Sequence, residues 1–156
     1  MFIPDPPPAC EPQPGQLLAR GVCRHLREHD FACLEEFSPE RGRRLDVMGL
    51  GPKGEFWIVE CKSSRADFTS DLKWTGYLEW GDRYFWAVDA DFPAEILPVG
   101  TGLIVADAFD AEIVRMPEAA PLAPARRKKL TLKFARCAAG RMQGLRDPMW
   151  GSTASL

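Results

Sequence analysis

Residues 43–64, RRLDVMGLGPKGEFWIVECKSS, constrain this chain more than any other stretch. Two apolar runs, residues 45–50 and 55–61, flank Gly51-Pro52-Lys53-Gly54. Proline presets the φ of a turn, and glycine takes the left-handed position that closes a three-residue loop, so the segment predicts a β-hairpin. With Pro52, Lys53 and Gly54 as the loop, Gly51 faces Glu55, and counting back along both strands sets Asp46 opposite Glu60. Strand period two puts Lys62 on the face of Glu60 and turns the Cys61 side chain to the other face. Carboxylates opposed across a ladder repel. A divalent cation between them would remove that repulsion. Asp, Glu and Lys on one sheet face therefore predict a hard-metal site with an amine beside it.

The competing reading is a solvated Asp46 and an exposed Glu60–Lys62 pair on a half-buried sheet, the ordinary meaning of an isolated Glu-x-Lys. Three features weigh against it. Glu60 ends the run Phe-Trp-Ile-Val, which reads as a central strand. Asp46 stands on the preceding strand in register. Ser63 and Ser64 follow where strand would give way to helix.

The rest of the chain frames this hairpin. Residues 1–14 hold six prolines and read as an extended arm. In residues 15–30, Leu17, Leu18, Val22 and Leu26 recur at helical spacing. His25 and His29 lie one turn apart there, and nothing nearby completes a histidine metal site. Residues 31–37 read as the first strand, with Glu35 and Glu36 on opposite faces and Glu36 preferred for the site. Arg43 and Arg44, just before Asp46, either contact a phosphate backbone or simply flank the sheet. Residues 64–82 read as one helix, capped by Ser64 or Ser63 with Asp67 as an acidic capping partner, burying Phe68 and Leu72. Strands follow at 83–89, 102–107 and 111–116, the last two as a hairpin. Asp82-Arg83 reads as a structural ion pair. Residues 125–142 form a final helix with seven basic and no acidic residues. Within it Arg126, Arg127, Lys128 and Lys129 are the expected polyanion footprint, against the alternative of a solvated helix face. Residues 143–156 are expected to be flexible.

Composition excludes several classes. A formal net charge of -2 is no global nucleic-acid footprint, so any DNA contact must be a local basic patch. No apolar run is long enough to span a bilayer, and no basic-then-apolar leader points to secretion. Five cysteines, odd in number and without Cys-x-x-Cys spacing, read as reduced thiols of a cytoplasmic protein.

Asp46 followed by Glu60-Cys61-Lys62 resembles the Asp…Glu-x-Lys signature of the PD-(D/E)xK nuclease superfamily. The wider strings RRLDV, FWIVECKSSRADFTSDLKW, DRYFWAVDADFPAEILP, GLIVADAFDAEIVR and APARRKKLTLKFARCAAGRM resemble the MmcB-like family, assigned as DNA-repair endonucleases of bacteria. That resemblance implies an α/β restriction-endonuclease-like core over residues 15–142, a mixed central β-sheet flanked by helices. It also implies a Mg²⁺- or Mn²⁺-dependent deoxyribonuclease that acts on DNA, alone or with other repair proteins. Asp46, Glu60 and the Cys61 backbone carbonyl would hold the cation, and Lys62 would orient or deprotonate the attacking water. Lys73 and Tyr77 match the Lys-x-x-x-Tyr element such nucleases carry on the helix after the Glu-x-Lys strand. Glu28 stands on the helix where related nucleases carry an acidic residue and is not assigned that role. A nuclease-like fold that binds DNA or a repair partner without cutting is the alternative.

Overall fold

The structure is a computed structural model, and it describes residues 10–149. In chain order it contains α1 (Pro14–Glu28), β1 (Ala32–Phe37), β2 (Leu45–Leu50), β3 (Phe56–Lys62), α2 (Arg65–Ser70), a 3-10 helix (Trp74–Trp80) and β4 (Arg83–Val88). A 3-10 turn (Ala94–Ile96), β5 (Gly102–Ala106), β6 (Ala111–Arg115) and α3 (Pro124–Arg146) complete it. The strands form one six-stranded sheet in sequence order. β3, β4 and β5 run parallel, and the remaining neighbours are antiparallel. Parallel neighbours need a crossover, which is what places α2 and the 3-10 helix between β3 and β4. The fold is therefore mixed α/β, as the sequence leads one to expect. No helix among the described residues is long and apolar enough to cross a membrane.

The β2–β3 hairpin has the expected register. Gly51 N–H donates to Glu55 O at 2.8 Å, Gly54 takes φ +84°, and Val47 pairs with Val59. Alternation along β3 then divides the sheet's two faces. Val59 and Cys61 join Val47, Phe85 and Ala87 beneath α1. Phe56 and Ile58 point the other way, with Tyr84 and Trp86, into a core closed by Leu130 and Phe134 of α3. Glu60 and Lys62 belong to that second face by the same period.

The alternation resets at Glu36 and Asp46. Glu36 has φ +50°, unusual for a residue with a side chain. The β1–β2 ladder runs through Glu35–Val47 and Phe37–Leu45 but skips the residues between. Phe37 and Leu45 consequently pack on the α3 side, with Phe37 and Phe134 ring centres 5.8 Å apart.

Two expectations about the helices are corrected. The single helix over 64–82 breaks at Asp71 after six residues of α2 and resumes as a 3-10 helix. The Ser64 cap is as expected, its Oγ accepting from Asp67 N–H at 3.1 Å. The hydroxyls of Thr69 and Ser70 then turn back on the backbone carbonyls of Ala66 and Asp67, and Asp71 Oδ1 accepts from Lys73 N–H at 3.0 Å. Such local bonds compete with helix propagation. Leu72 falls in the gap and is 87 % exposed instead of buried. At the other end, α3 continues to Arg146, so 143–146 are helix, because no breaker precedes Pro148. Proline occupies the first position of both α1 and α3, where its missing N–H costs nothing. The expected extended arm and flexible tail otherwise fall largely on 1–9 and 150–156, outside the described residues.

α3 is fixed by one buried carboxylate. Asp82 accepts from Phe56 N–H at 2.7 Å and Leu122 N–H at 2.9 Å, and takes both arms of Arg127 at 2.8 and 2.6 Å. Asp82 is thus structural, but its partner is Arg127; Arg83 donates to Pro117 O instead. Burial alone would raise the Asp82 carboxyl, and Arg127 with the two N–H groups outweighs it, holding the acid below its usual range. Asp82→Asn should destabilise the fold by about 3 kcal/mol, the scale of breaking a buried pair from one side. Urea unfolding near neutral pH measures it, and a change under about 0.5 kcal/mol, the ordinary surface value, would contradict this role.

Candidate active site

Where the ladder resets, side chains replace the backbone. Continuing the β2–β3 register one step past Val47–Val59 brings Asp46 opposite Glu60. Asp46 N–H donates to Glu60 Oε1 at 3.1 Å, and Cys61 N–H donates to Asp46 Oδ2 at 2.8 Å. Each carboxylate therefore takes an N–H from the opposite strand. Glu60 is only 4 % exposed. Burial first, then the charge of Asp46, pushes its carboxyl up to about 8, against the pull of the Asp46 N–H and Lys62. Burial also raises Asp46, although the Cys61 N–H opposes it. The expected repulsion is thus eased here by proton uptake.

Lys62 is buried on the same face, its ammonium 5.9 Å from the ring centre of Trp86. Nζ lies 2.9 Å from Asp71 Oδ2 and 3.9 Å from Asp67 Oδ1. Burial disfavours the charged form, but the hydrogen bond and charge of Asp71, with Asp67 and Glu60, outweigh it and hold the amine above its usual range. Lys62 is therefore a fixed cation. Asp71, which helix periodicity hides, reaches it only because α2 stops there. Tyr77 is half-buried within the field of the same acids: burial, then Glu60, Asp71 and Asp46, raise its phenol. Lys73 is exposed, at the entry to the 3-10 helix, so it and Tyr77 do not share one α-helical face.

Asp46, Glu60 and Lys62 open on a cleft of about 750 Å³, whose lining does not include Asp71, Lys73 or Tyr77. Asp46, Glu60, Lys62 and Asp67 line its interior, Gln13 and Gln16 of the first turn of α1 one wall, and Arg44 and Arg141 its exposed rim. Glu35 and Glu36 both line the cleft and both are exposed. Arg141 holds this wall, donating to the backbone carbonyls of Glu35 and Glu36. Glu28 is at the far end of α1. His25 and His29 are also remote from the cleft: their rings lie 4.7 Å apart, and His25 is 3.7 Å from Asp110.

Of the other expected cations, Arg43 pairs with Glu40 and lies so close over Gly76 that a Cβ there would clash with it. Arg126 bonds to the Glu79 carboxylate at 3.1 Å and covers the Trp80 ring at 4.6 Å, and Arg127 is held by Asp82. Lys128 and Lys129 are exposed and make no salt bridge among the described residues, and Arg136 joins them. The basic run thus divides between anchors and open charges.

A hard divalent cation fits the donor set in part. Asp46 and Glu60 offer buried carboxylate oxygens whose mutual repulsion it would relieve, and Mg²⁺ commonly uses only one or two carboxylates with water and phosphate. Among the described residues, no group of three or more His, Cys, Asp or Glu side chains converges as metal ligands.

By fold the molecule is a mixed α/β protein, and by site one whose cleft is acidic within and carries both arginines and glutamates at its exposed edge. It belongs to the MmcB-like family of DNA repair proteins, whose profile matches residues 7–149. A solved structure, the SPO1766 protein of unknown function from Silicibacter pomeroyi, is similar to it at 65 % identity and a TM-score of 0.90. The match covers 94 % of this chain and 100 % of that one. No curated protein matches the chain.

The raised Glu60 carboxyl has a thermodynamic signature. A carboxyl lifted from 4.5 to about 8 gives stability that is complete below pH 4.5 and lost as pH rises through 8. Without added metal, the protein should lose stability across that window. Glu60→Gln keeps an oxygen for the Asp46 N–H and removes the titration, so its decline should be shallower. Parallel stability–pH curves for the two proteins would refute the assignment.

Proposed function

We propose that this protein is a Mg²⁺- or Mn²⁺-dependent nuclease that hydrolyses phosphodiester bonds of DNA in repair. What carries the reading is the meeting of Asp46, Glu60 and Lys62 in one cleft, the three positions that match the Asp…Glu-x-Lys signature. Membership of a DNA repair family supports it. Asp46 and Glu60, with the Cys61 carbonyl, would hold the cation. When bound, the cation supplies positive charge against the charge that builds on the phosphate during attack. Lys62, kept as an ammonium by Asp71, suits orienting the attacking water and offsetting phosphate charge rather than removing a proton. Tyr77 stands near these acids and can hydrogen-bond a phosphate oxygen. Arg44 and Arg141 at the rim would receive the backbone, and Lys128, Lys129 and Arg136 of α3 would extend its path.

One observation favours a second reading, a module that binds DNA or a repair partner without cutting: no third metal-type side chain joins the carboxylate pair among the described residues. DNA cleavage assays with either metal separate the two. In the nuclease reading, Lys62→Met keeps its fold and cation binding but cuts slower by on the order of 10²–10³-fold, the scale of removing one preorganised charge. Equal single-turnover rates would remove Lys62 from the mechanism. If the wild-type protein cuts no DNA structure with either metal, the binding module takes the lead.

The path along α3 has its own test, valid for either reading. Replacing Lys128, Lys129 and Arg136 with alanine should weaken DNA binding and lower the salt slope by roughly 0.7–0.9 for each phosphate no longer neutralised. An unchanged slope would make them ordinary solvated charges.

A further inference from the structure

Gly21 brings α1 against the turn between β5 and β6. A Cβ on Gly21 would lie 2.0 Å from Asp107 O and 2.6 Å from Asp110 O, so only glycine lets the helix approach that backbone so closely. The turn is closed on itself. Asp107 N–H donates to Asp110 O at 3.0 Å, and Asp107 Oδ1 accepts from the N–H groups of Phe109 and Asp110 at 2.7 and 2.9 Å. Arg20 Nε donates to Ala108 O at 2.7 Å and fastens the turn to α1. None of these bonds uses the side chain of Phe109. Its ring is 68 % exposed, yet it is held under two guanidiniums, those of Arg20 and Arg24, 5.6 and 5.9 Å from its centre. Both come from α1, one turn apart, and the exposure shows that they leave much of the ring open to solvent.

The charges around the ring suit an anion. The acids of the turn are engaged with its backbone: Asp107 as above, and Asp110 Oδ1 with Ala111 N–H at 2.7 Å and His25 Nδ1 at 3.7 Å. Arg20 gives only its Nε, and Arg24 makes no hydrogen bond or salt bridge among the described residues, so the terminal N–H groups of both are open to a ligand. The patch is also continuous with the cleft. Residues four apart share a helix face, so Gln16, Arg20 and Arg24 form one exposed stripe. Gln16 lines the cleft, and Arg24 lies about 12 Å farther along the helix axis.

We propose that Phe109, flanked by Arg20 and Arg24, is a stacking site for an unpaired base of single-stranded DNA that runs from the cleft along α1. An aromatic ring accepts the face of any base, and guanidiniums beside it take the neighbouring phosphates. A base inside a duplex is already stacked on both sides, so such a site selects DNA that is single-stranded next to the cleft. The proposal rests on the reading of the cleft as a DNA site, and it does not require cleavage.

The experiment measures binding of the full chain by fluorescence anisotropy in EDTA, where no strand is cut. The probes are a labelled mixed-sequence single strand, the same strand with its bases replaced by abasic sites, and a blunt duplex. The wild type should bind the intact strand more tightly than the abasic one. Phe109→Ala should weaken single-strand binding by roughly 5–150-fold, the scale of losing one stacked aromatic, and leave duplex binding unchanged. Phe109→Trp keeps a stacking face and should bind as the wild type does. Arg20→Ala with Arg24→Ala should lower the single-strand salt slope by roughly 0.7 for each phosphate no longer neutralised. The abasic strand tests the wild type itself, so the result stands even if a variant misfolds. Equal affinity for intact and abasic strands, or for the single strand by Phe109→Ala and wild type, overturns the proposal and leaves the nuclease reading standing. A wild type that binds no single strand overturns it as well, and duplex cleavage with Mg²⁺ or Mn²⁺ by the same preparation then decides the nuclease reading on its own.

Discussion

The carboxylate of Asp82 is the point from which much of the other layout follows. A buried charge is costly unless several donors satisfy it, and this one has four hydrogen bonds from three parts of the chain. They join the start of β3, the connection before α3 and the first turns of α3. The backbone carbonyl of the same residue accepts from Ala120 N–H at 2.8 Å and fixes that connection further. With its N-terminal end held there, α3 crosses the sheet so that Leu130 and Phe134 fill the core and Arg141 meets the carbonyls of Glu35 and Glu36. The helix is therefore tied at one end to the base of β3 and at the other to the cleft wall.

That second tie falls where β1 departs from regular strand geometry. The skipped Glu36–Asp46 pairing frees the Asp46 N–H from the β1–β2 ladder, and the Cys61 N–H lies past the last β2–β3 pair. Unpaired buried N–H groups are expensive, and the carboxylates of Asp46 and Glu60 satisfy two of them. The same bonds help two acids to coexist so deep in a sheet: each has a donor, and burial favours the protonated form. A cation entering the cleft would compete with protons for these oxygens, so its binding should strengthen as pH rises.

Lys62 adds the opposite charge. A buried amine beside raised carboxyls would be expected to lose its proton, but Asp71 closes the balance. The end of α2 and the charge state of Lys62 are one problem with one solution: the aspartate that stops the helix is the one that holds the lysine. Arg43, Arg126 and Arg127 are engaged too, Arg126 and Arg127 at the end of α3 away from the cleft, and the open cations lie farther along α3.

The hairpin was legible in residues 43–64 because its turn chemistry and period-two pattern are local, and register follows from loop length. That alone set Asp46 against Glu60, Lys62 beside Glu60 and Cys61 on the other face. The strands, the outer helices and the mixed α/β class were also readable, since apolar periodicity reports them without knowledge of partners. What sequence could not reveal depends on how distant segments meet. The break at Asp71 needed side chains that hydrogen-bond back to their own turn, with Lys62 waiting to receive the aspartate. Arg127 reads as one more charge in a basic run until Asp82 arrives from 45 positions earlier. Arg141 and the glutamines of α1 reach the cleft only once two helices have packed on opposite faces of the sheet. Local propensity and alternation thus determined the strands and their acids; tertiary packing decided which charges are buried, which are paired and which remain open to a ligand, because the cost of burying a charge depends on what folds against it.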